Sequence, residues 1–174
     1  MAGEELTAHS IRTNLRLHGL TRLGDEIASL DIVTTLCIGL LVGVELAVSV
    51  FINPVLWKIE RAAQAEAIRL FASRLGKAMP PWYIVSLLLL LAEAVVHRGT
   101  AADFLLIIAY VIWVLVILVT VLFLVPINNQ MVRLNAGTFT DEAQREHRRW
   151  DTLHRLRVLA LAVSLVCLLI AIRL

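Results

Sequence analysis

A single carboxylate inside a long apolar run constrains this chain more than any other feature. The segment 31–57 reads DIVTTLCIGLLVGVELAVSVFINPVLW, and Glu45 is its only charged residue between the two ends. About 20 predominantly apolar residues are enough for a helix to cross the hydrocarbon core of a bilayer. A charge at that depth costs roughly 2.5–3.5 kcal/mol or more. We therefore expect a membrane protein in which Glu45 faces the bundle interior, a cavity or a partner.

Three further apolar runs follow the first, and 59% of the 174 residues are hydrophobic. Their composition is rich in Ala, Leu and Val, without the alternation of about ten residues that is typical of a membrane barrel. The sequence therefore predicts an all-α fold, a membrane four-helix bundle within residues 31–174. The predicted spans are 31–57, 80–98, 102–126 and 152–173.

Residues 1–30 are expected to form an interfacial tail that lies on the membrane surface. Leucines alternate with arginines there, Gly24 is expected to end the tail helix, and Asp31 can cap span one. The N-terminus does not begin with basic residues followed by an apolar core, so no signal peptide is expected. Span one is long enough to serve as its own uncleaved signal.

The two long loops are each expected to carry a helical segment at the interface. Residues 58–75 have an apolar face opposite a charged one, and Gly76 with Pro80-Pro81 should stop that helix. In the second loop, Thr138 and Asp141 resemble a capping box. One helix is predicted to run from Asp141 into span four.

The distribution of basic residues predicts the orientation in the cell membrane. Eleven lysines and arginines lie in the two long loops or at the start of span four, against five on the other side. The positive-inside rule then places the long loops in the cytoplasm and both termini outside. Because the net charge is only +2, nucleic acid is not expected as a partner.

Span one presents two different faces. Gly39, Gly43 and Ala47 are spaced by four, a pattern that lets helices approach closely and offers a surface for homo-oligomers. Glu45 lies about 200° around the helix from Gly43, on a polar stripe. This carboxyl is interpreted either as a hydrogen-bonding group between helices or as part of a ligand cavity or proton path.

A second polar set should collect where spans one and three end at Pro54 and Pro126. Helical periodicity places Trp150, His154 and Arg157 on one face of span four, although Arg157 is also expected to snorkel with Arg155. Aromatic belts and helix capping would account for part of this set. The predicted cavity is walled by four residues, with Glu45 as its floor about 12 Å deeper. The four are Asn53, Asn128, Trp150 and His154.

Metal ligands are not assigned from the sequence. His147 and His154 are two helical turns apart, about 10.5 Å along the axis, so both cannot bind one ion with Asp151. His147 with Asp151, or His154 with Glu45, could each supply half a site. Glu93 and His97, one turn apart, are expected to form a local hydrogen-bonded pair.

The motifs Asn53-Pro54, Pro126-Ile-Asn-Asn129 and Trp150-x3-His154-x2-Arg157 resemble the anthrone oxygenase-like family of small membrane proteins. The resemblance covers residues 32–174. It implies a four-helix membrane bundle and, for fungal members in polyketide pathways, oxidation of an anthrone to an anthraquinone with dioxygen. The family's functional positions would fall on Asn53, Asn128, Trp150, His154 and Arg157.

Two functions are compatible with these observations. The first is an oxygenase that takes a lipophilic aromatic substrate from the bilayer. His154 would be the base, Asn128 and Arg157 would stabilise the enolate oxygen, and substrate would contact Asn53, Asn129, Trp150 and Glu45. The chemistry requires no cofactor, although the sequence is also compatible with a bound metal ion or haem. The second is a non-catalytic bundle, such as a partner subunit, small transporter or assembly factor, in which Glu45 locks helices together.

Overall fold

Helices account for most of the chain. The structure, a computed structural model, describes the backbone of residues 2–134 and 139–174 and the side chains of residues 19, 21–134 and 139–174. Four helical stretches within these residues are long and apolar enough to cross a membrane. The prediction of an all-α, multi-pass four-helix protein is confirmed. The helices are α1 (Ala2–Ala47), α2 (Asn53–Leu56), α3 (Arg61–Val96), α4 (Asp103–Val119), α5 (Val125–Met131) and α6 (Asp141–Ala171).

The first helix continues where a break was expected. Helix α1 passes through Gly24 and Asp31 without interruption, so the predicted break and cap are wrong. One glycine costs about 1 kcal/mol relative to alanine, which is too little to end a long helix. The tail leucines on which the interfacial prediction depended have side chains outside the described residues: Leu6, Leu15, Leu17 and Leu20.

The predicted stop at Gly76 and Pro80-Pro81 is also wrong. Helix α3 begins at Arg61, where the Glu60 side chain accepts a hydrogen bond from the Ala62 N–H, and it includes both prolines. Proline removes one backbone donor, and helices in membranes tolerate that loss where their neighbours compensate. Residues 61–75 of the amphipathic segment are therefore the first part of α3.

One side of this first part of α3 packs against protein, whereas Leu70 and Phe71 of the predicted apolar face are exposed. Ala65, Ile68 and Ala72 are buried in a small core with Ile127 and Met131 of α5. Leu56, Leu134 and Phe139 complete that core. The segment therefore covers the ends of α2 and α5, which places it beside the region where the polar set was expected.

Two π-helical turns interrupt the spans in matching positions. Val48–Ile52 precedes Pro54 and Thr120–Leu124 precedes Pro126 in the same register, and the chain continues as α2 and α5. The prolines therefore do not end spans one and three as predicted. Single π turns occur frequently at functional sites because they re-aim the side chains that follow.

The last helix runs unbroken from Asp141 through span four, as expected. Its N-cap is Thr140, whose hydroxyl accepts from the Ala143 N–H, while Thr138 lies outside the described residues. Arg61 forms an ion pair with Asp141, which joins the start of α3 to the start of α6.

The bundle core lies between α1, α3, α4 and α6, and large apolar side chains also cover its outside. Trp113, Leu106 and Leu161 are fully buried, and the Ser164 hydroxyl donates to the Ala109 carbonyl at 3.0 Å across α4 and α6. Phe104 is 72% exposed and Leu36 58% exposed. An apolar exterior of this kind suits lipid contact. Cys37 and Cys167 are free thiols.

Candidate functional site

Glu45 points into the bundle and is bonded on both carboxylate oxygens. The Tyr83 hydroxyl donates to Oε1 at 3.1 Å, and Arg157 Nη2 donates to Oε2 at 2.6 Å. The Glu45 side chain is 3% exposed. The prediction that Glu45 faces the interior within reach of a polar group on another helix is confirmed. The cation opposite it makes the ionised carboxylate tolerable at this depth.

Arg157 turns inward instead of snorkelling, which corrects the prediction. Its side chain is 9% exposed, against 58% for Arg155 two residues earlier. Besides Glu45, its Nη1 donates to the Thr120 hydroxyl at 3.4 Å. The electrostatic attraction between Arg157 and the buried Glu45 carboxylate outweighs the solvation that the guanidinium would gain at the membrane interface. Its Nε is buried and has no hydrogen-bond partner among the residues that the structure describes. One N–H of this guanidinium is therefore left without an acceptor in the described part of the chain.

His154 completes the cluster. Its Nε2 lies 3.2 Å from the Glu45 carbonyl, and its Nδ1 lies 3.0 Å from Arg157 Nη2 and 3.2 Å from Glu45 Oε2. The consistent assignment is an Nε2–H that donates to the carbonyl and an Nδ1 that accepts from Arg157. A proton added at Nδ1 would meet the Glu45 carboxylate directly.

Aromatic rings stack along the face of α6 that carries His154. The rings of Trp150 and His154 are 4.8 Å apart and nearly parallel, at 9°. His147 continues the stack at 6.0 Å on the other side of Trp150, and Trp57 contacts His147 at 5.1 Å. Trp150 packs on one face of the His154 ring, and the Glu45 carbonyl contacts its Nε2 edge. Together these contacts fix the orientation of the ring. The Trp57 ring also lies beneath the Arg148 guanidinium at 4.6 Å.

A cavity of about 260 Å³ lies next to the charged cluster. Small-molecule sites commonly measure about 300–1,000 Å³, so this cavity is slightly smaller than that range. Most of its wall is apolar, from α1, α3, α6 and the second π turn. Ile84 and Val121 line it and are also 49% and 57% exposed on the outer surface. Six of the predicted site residues line this cavity: Glu45, Asn128, Asn129, Trp150, His154 and Arg157.

Asn128 lies at the rim of the cavity, held against α3. Its Nδ2 donates to the Ala72 carbonyl at 3.3 Å. A Cβ built on Gly76 would lie 2.9 Å from the same nitrogen. Gly76 therefore provides room for Asn128 within α3, a role that differs from the predicted helix stop. Asn129, the next residue, is exposed.

Asn53 does not line this cavity, contrary to the prediction. It lines a smaller adjoining one that shares Asn128 and Trp150, and its Nδ2 donates to Asp151 Oδ1 at 2.7 Å. Asn53 follows directly after the first π turn and contacts α6 through this bond. Arg155 donates to the other oxygen of Asp151 at 2.9 Å. Asp151 thus accepts a hydrogen bond on each carboxylate oxygen, from Asn53 and from Arg155.

Two residues of the cluster, Tyr83 and Thr120, were not among the predicted site residues. Tyr83 binds Glu45 and is itself positioned by Trp113, whose indole N–H donates to the Tyr83 carbonyl at 3.1 Å. Thr120 binds Arg157 from the second π turn. Thr120 is a polar residue within the apolar run of span three, which was a usable signal. The contact of Tyr83 with Glu45 depends on how α1 and α3 pack, and no sequence spacing shows that.

Comparison with known proteins identified a family. The family model for anthrone oxygenase matches residues 68–167, which include α4, α5 and most of α3 and α6. The match covers more than half of the chain, although it leaves out Glu45 and Asn53. No curated protein and no solved structure matched.

Proposed function

This chain belongs to the anthrone oxygenase family, and on that premise we propose that it oxidises a lipophilic aromatic substrate with dioxygen. The substrate class is an anthrone-like polyketide, in which a CH₂ group lies between two aromatic rings and opposite a ring ketone. The reaction would take place in the cavity beside Glu45. The observation that carries the proposal is the Glu45–His154–Arg157 cluster, which places a base and a cation on the wall of an otherwise apolar cavity.

The chemistry balances without a cofactor. A base removes one proton from the CH₂ group, and the resulting carbanion, delocalised as an enolate, passes its electrons to dioxygen. A C–O bond forms and gives a hydroperoxide. Loss of the second proton from the same carbon breaks the O–O bond, and a quinone carbonyl and one water result. One dioxygen is consumed for each quinone formed.

His154 is the proposed base, acting through Nδ1. At rest this nitrogen accepts a hydrogen bond from Arg157. A substrate oxygen that attracts the guanidinium would release the lone pair of Nδ1. The proton taken from substrate would then be stabilised by Glu45 Oε2, 3.2 Å away. General bases of this kind typically contribute about 10²–10⁴ in rate.

Arg157 is proposed to stabilise the enolate oxygen through its Nε–H. That donor is buried without a partner among the described residues, so it does not lose an existing bond when a shift of the side chain brings it to substrate. Asn128 supplies an amide at the rim, and Trp150 offers an aromatic surface for a planar ring system. Donors placed where negative charge develops are commonly the largest contribution to catalysis.

The surroundings of the cavity support entry of substrate from the bilayer. Ile84 and Val121 belong both to the cavity wall and to the apolar exterior. A lipophilic substrate could therefore pass from acyl chains to the cavity between α3 and the second π turn. We also propose that this end of the bundle faces the cytoplasm, as the positive-inside rule predicts.

The test is anthrone turnover by the purified chain in lipid nanodiscs. Quinone formation and oxygen uptake would be followed together and corrected for autoxidation in empty nanodiscs. The wild type should form quinone at one oxygen per product, and Arg157→Gln should lower the rate by about 10²-fold or more. Arg155→Gln, an exposed arginine on the same helix, is the matched control and should keep the rate.

Arg157→Gln also leaves Glu45 without its cation, so a folding defect must be separated from lost catalysis. Arg157→Lys retains the charge but cannot reproduce the forked contacts with Glu45, His154 and Thr120. A well-folded Arg157→Lys protein with a strongly reduced rate supports the proposal. Absence of turnover by folded wild type would refute it and favour the non-catalytic bundle.

A further inference from the structure

A second cluster of ionisable side chains lies at the opposite end of the bundle. Asp31 of α1 meets Glu93 and His97 at the end of α3, and one ligand-type atom from each lies within 4.8 Å of the others. Asp31 precedes Glu45 by 14 residues on the same helix, which is about 21 Å of helical rise. The cluster is therefore separate from the cavity.

Glu93 is the most unusual member. It is fully buried, and neither of its carboxylate oxygens has a hydrogen-bond partner among the described residues. His97 Nδ1 lies 3.5 Å from Oε2, but it is closer to the Glu93 backbone carbonyl, at 3.1 Å. A carboxylate buried without compensation is strongly unfavourable, so this position calls for a bound cation or a proton.

His97 is oriented as metal-binding histidines usually are. Its Nδ1 contacts the Glu93 carbonyl one turn back, which fixes the ring and leaves Nε2 to carry the lone pair. Nε2 points toward Asp31 and lies 4.0 Å from Oδ1, an oxygen that also lacks a hydrogen-bond partner in the described part of the chain. Ligands bound to one ion at about 2.0–2.2 Å lie roughly 3–4 Å apart, so only a small closure is needed.

A shared proton would satisfy this cluster less completely than a metal ion. One proton can bridge Glu93 and Asp31, and the fully buried Thr34 hydroxyl lies beside the Glu93 carboxylate, although not in hydrogen-bond geometry. His97 Nε2, 4.0 Å from Asp31 Oδ1, would still have no hydrogen bond within the cluster. A divalent ion can accept one imidazole and two carboxylates at once and can complete its shell with water.

We propose that Asp31, Glu93 and His97 form a binding site for a divalent first-row transition-metal ion that ties α1 to the end of α3. One imidazole with two carboxylates suits Mn²⁺, Fe²⁺ or Zn²⁺ better than Mg²⁺. Asp31 and His97 side chains are 22% and 18% exposed, so an ion can enter from the aqueous side while Glu93 lies deepest. The role is structural, since the site is remote from the cavity.

The experiment is metal binding by the full chain in nanodiscs, purified without a histidine tag and stripped with chelator. Zn²⁺ and Mn²⁺ would be titrated, with elemental analysis for stoichiometry and electron paramagnetic resonance for Mn²⁺. One ion should bind per chain. Glu93→Gln should weaken binding by more than about tenfold, while Glu66→Gln, an exposed glutamate on the same helix, should have no effect.

A second readout is thermal stability. Saturating Zn²⁺ should raise the melting temperature of the wild type by about 5 °C or more and leave that of Glu93→Gln unchanged. If Glu93→Gln does not fold, His97→Gln at the partly exposed edge takes its place. Three results would overturn the proposal. They are no metal binding by the wild type, wild-type affinity in both Glu93→Gln and His97→Gln, or an affinity of the wild type for Mg²⁺ equal to that for Zn²⁺ or Mn²⁺. These readouts do not depend on turnover.

Discussion

Glu45 and Glu93 are two buried glutamates in the same bundle with opposite surroundings. Glu45 accepts hydrogen bonds from Tyr83 and Arg157 and lines a cavity. The carboxylate oxygens of Glu93 have no hydrogen-bond partner among the described residues, and Asp31 and His97 lie next to them. The first cluster carries a permanent cation, the Arg157 guanidinium, whereas the second contains only the His97 imidazole.

The difference teaches what a buried acid can do in a membrane. A carboxylate already paired with arginine can stay ionised in an apolar wall and act on an organic molecule placed beside it. A carboxylate without a donor needs something from outside the chain. The two ends of the bundle are therefore expected to bind different kinds of ligand, a lipophilic aromatic at one and a metal ion at the other.

The two ends should also face different compartments, and labelling can show this as an all-or-none result. Glu66 and Arg98 are exposed residues near the cavity end and the Glu93 end. In a chain whose native cysteines are replaced, Arg98→Cys should react with an impermeant thiol reagent in intact cells. Glu66→Cys should react only after the cells are opened. The reverse pattern would invert the proposed orientation.

Stability should separate the two glutamates strongly. Glu45→Gln leaves the Arg157 charge buried without its partner, which should lower the free energy of unfolding by about 3–5 kcal/mol. Glu93→Gln breaks no hydrogen bond of the carboxylate among described residues, so metal-free protein should lose less than about 1 kcal/mol. Unfolding in mixed micelles with increasing sodium dodecyl sulfate would measure both. Equal losses would mean that the two clusters do not differ as described.

Two glycines extend the comparison with a smaller effect. Alanine in a helix is intrinsically favoured over glycine by about 1 kcal/mol. At Gly39, where a Cβ would meet nothing within 4 Å of the described chain, Gly39→Ala should show that gain. At Gly76 the new Cβ would displace Asn128 and break its bond to Ala72, so Gly76→Ala should gain nothing or lose about 1 kcal/mol. Melting curves in detergent would compare the two.

The outward position of Gly39 also bears on oligomers. Gly43 is exposed, Ala47 partly so, and the stripe makes no close contact within the described bundle. Homo-oligomers through this stripe stay a prediction. If they form, Gly43→Leu should shift the chain to monomers in light scattering without loss of the fold. An unchanged association state would exclude the stripe as the contact.

The sequence predicts the spans well because length and hydropathy determine them. It also predicts that Glu45 faces inward, since a lone carboxylate in an apolar run has few other solutions. It fails at Gly24, Pro80 and Pro81, where residues that end helices in water are tolerated within long or membrane-embedded helices.

The site is predicted less completely, because its details depend on packing between helices. The sequence places Trp150, His154 and Arg157 on one face of α6, and the structure brings all three to the cavity wall. The sequence predicts that Arg157 lies at the membrane interface, because it does not show which acidic residue this arginine contacts. It predicts the wrong cavity for Asn53. That residue follows a π turn, and the hydropathy of the sequence does not show where a π turn occurs.

The most direct test of the central claim is anthrone oxidation by His154→Ala in nanodiscs, measured beside wild type. The account predicts that turnover falls by about 10²-fold or more, because the base is lost, while helicity and membrane insertion are retained. Arg155→Ala, exposed one residue away, should oxidise anthrone at the wild-type rate. Turnover by folded His154→Ala at the wild-type rate would contradict the assignment of this cluster as the oxygenase site.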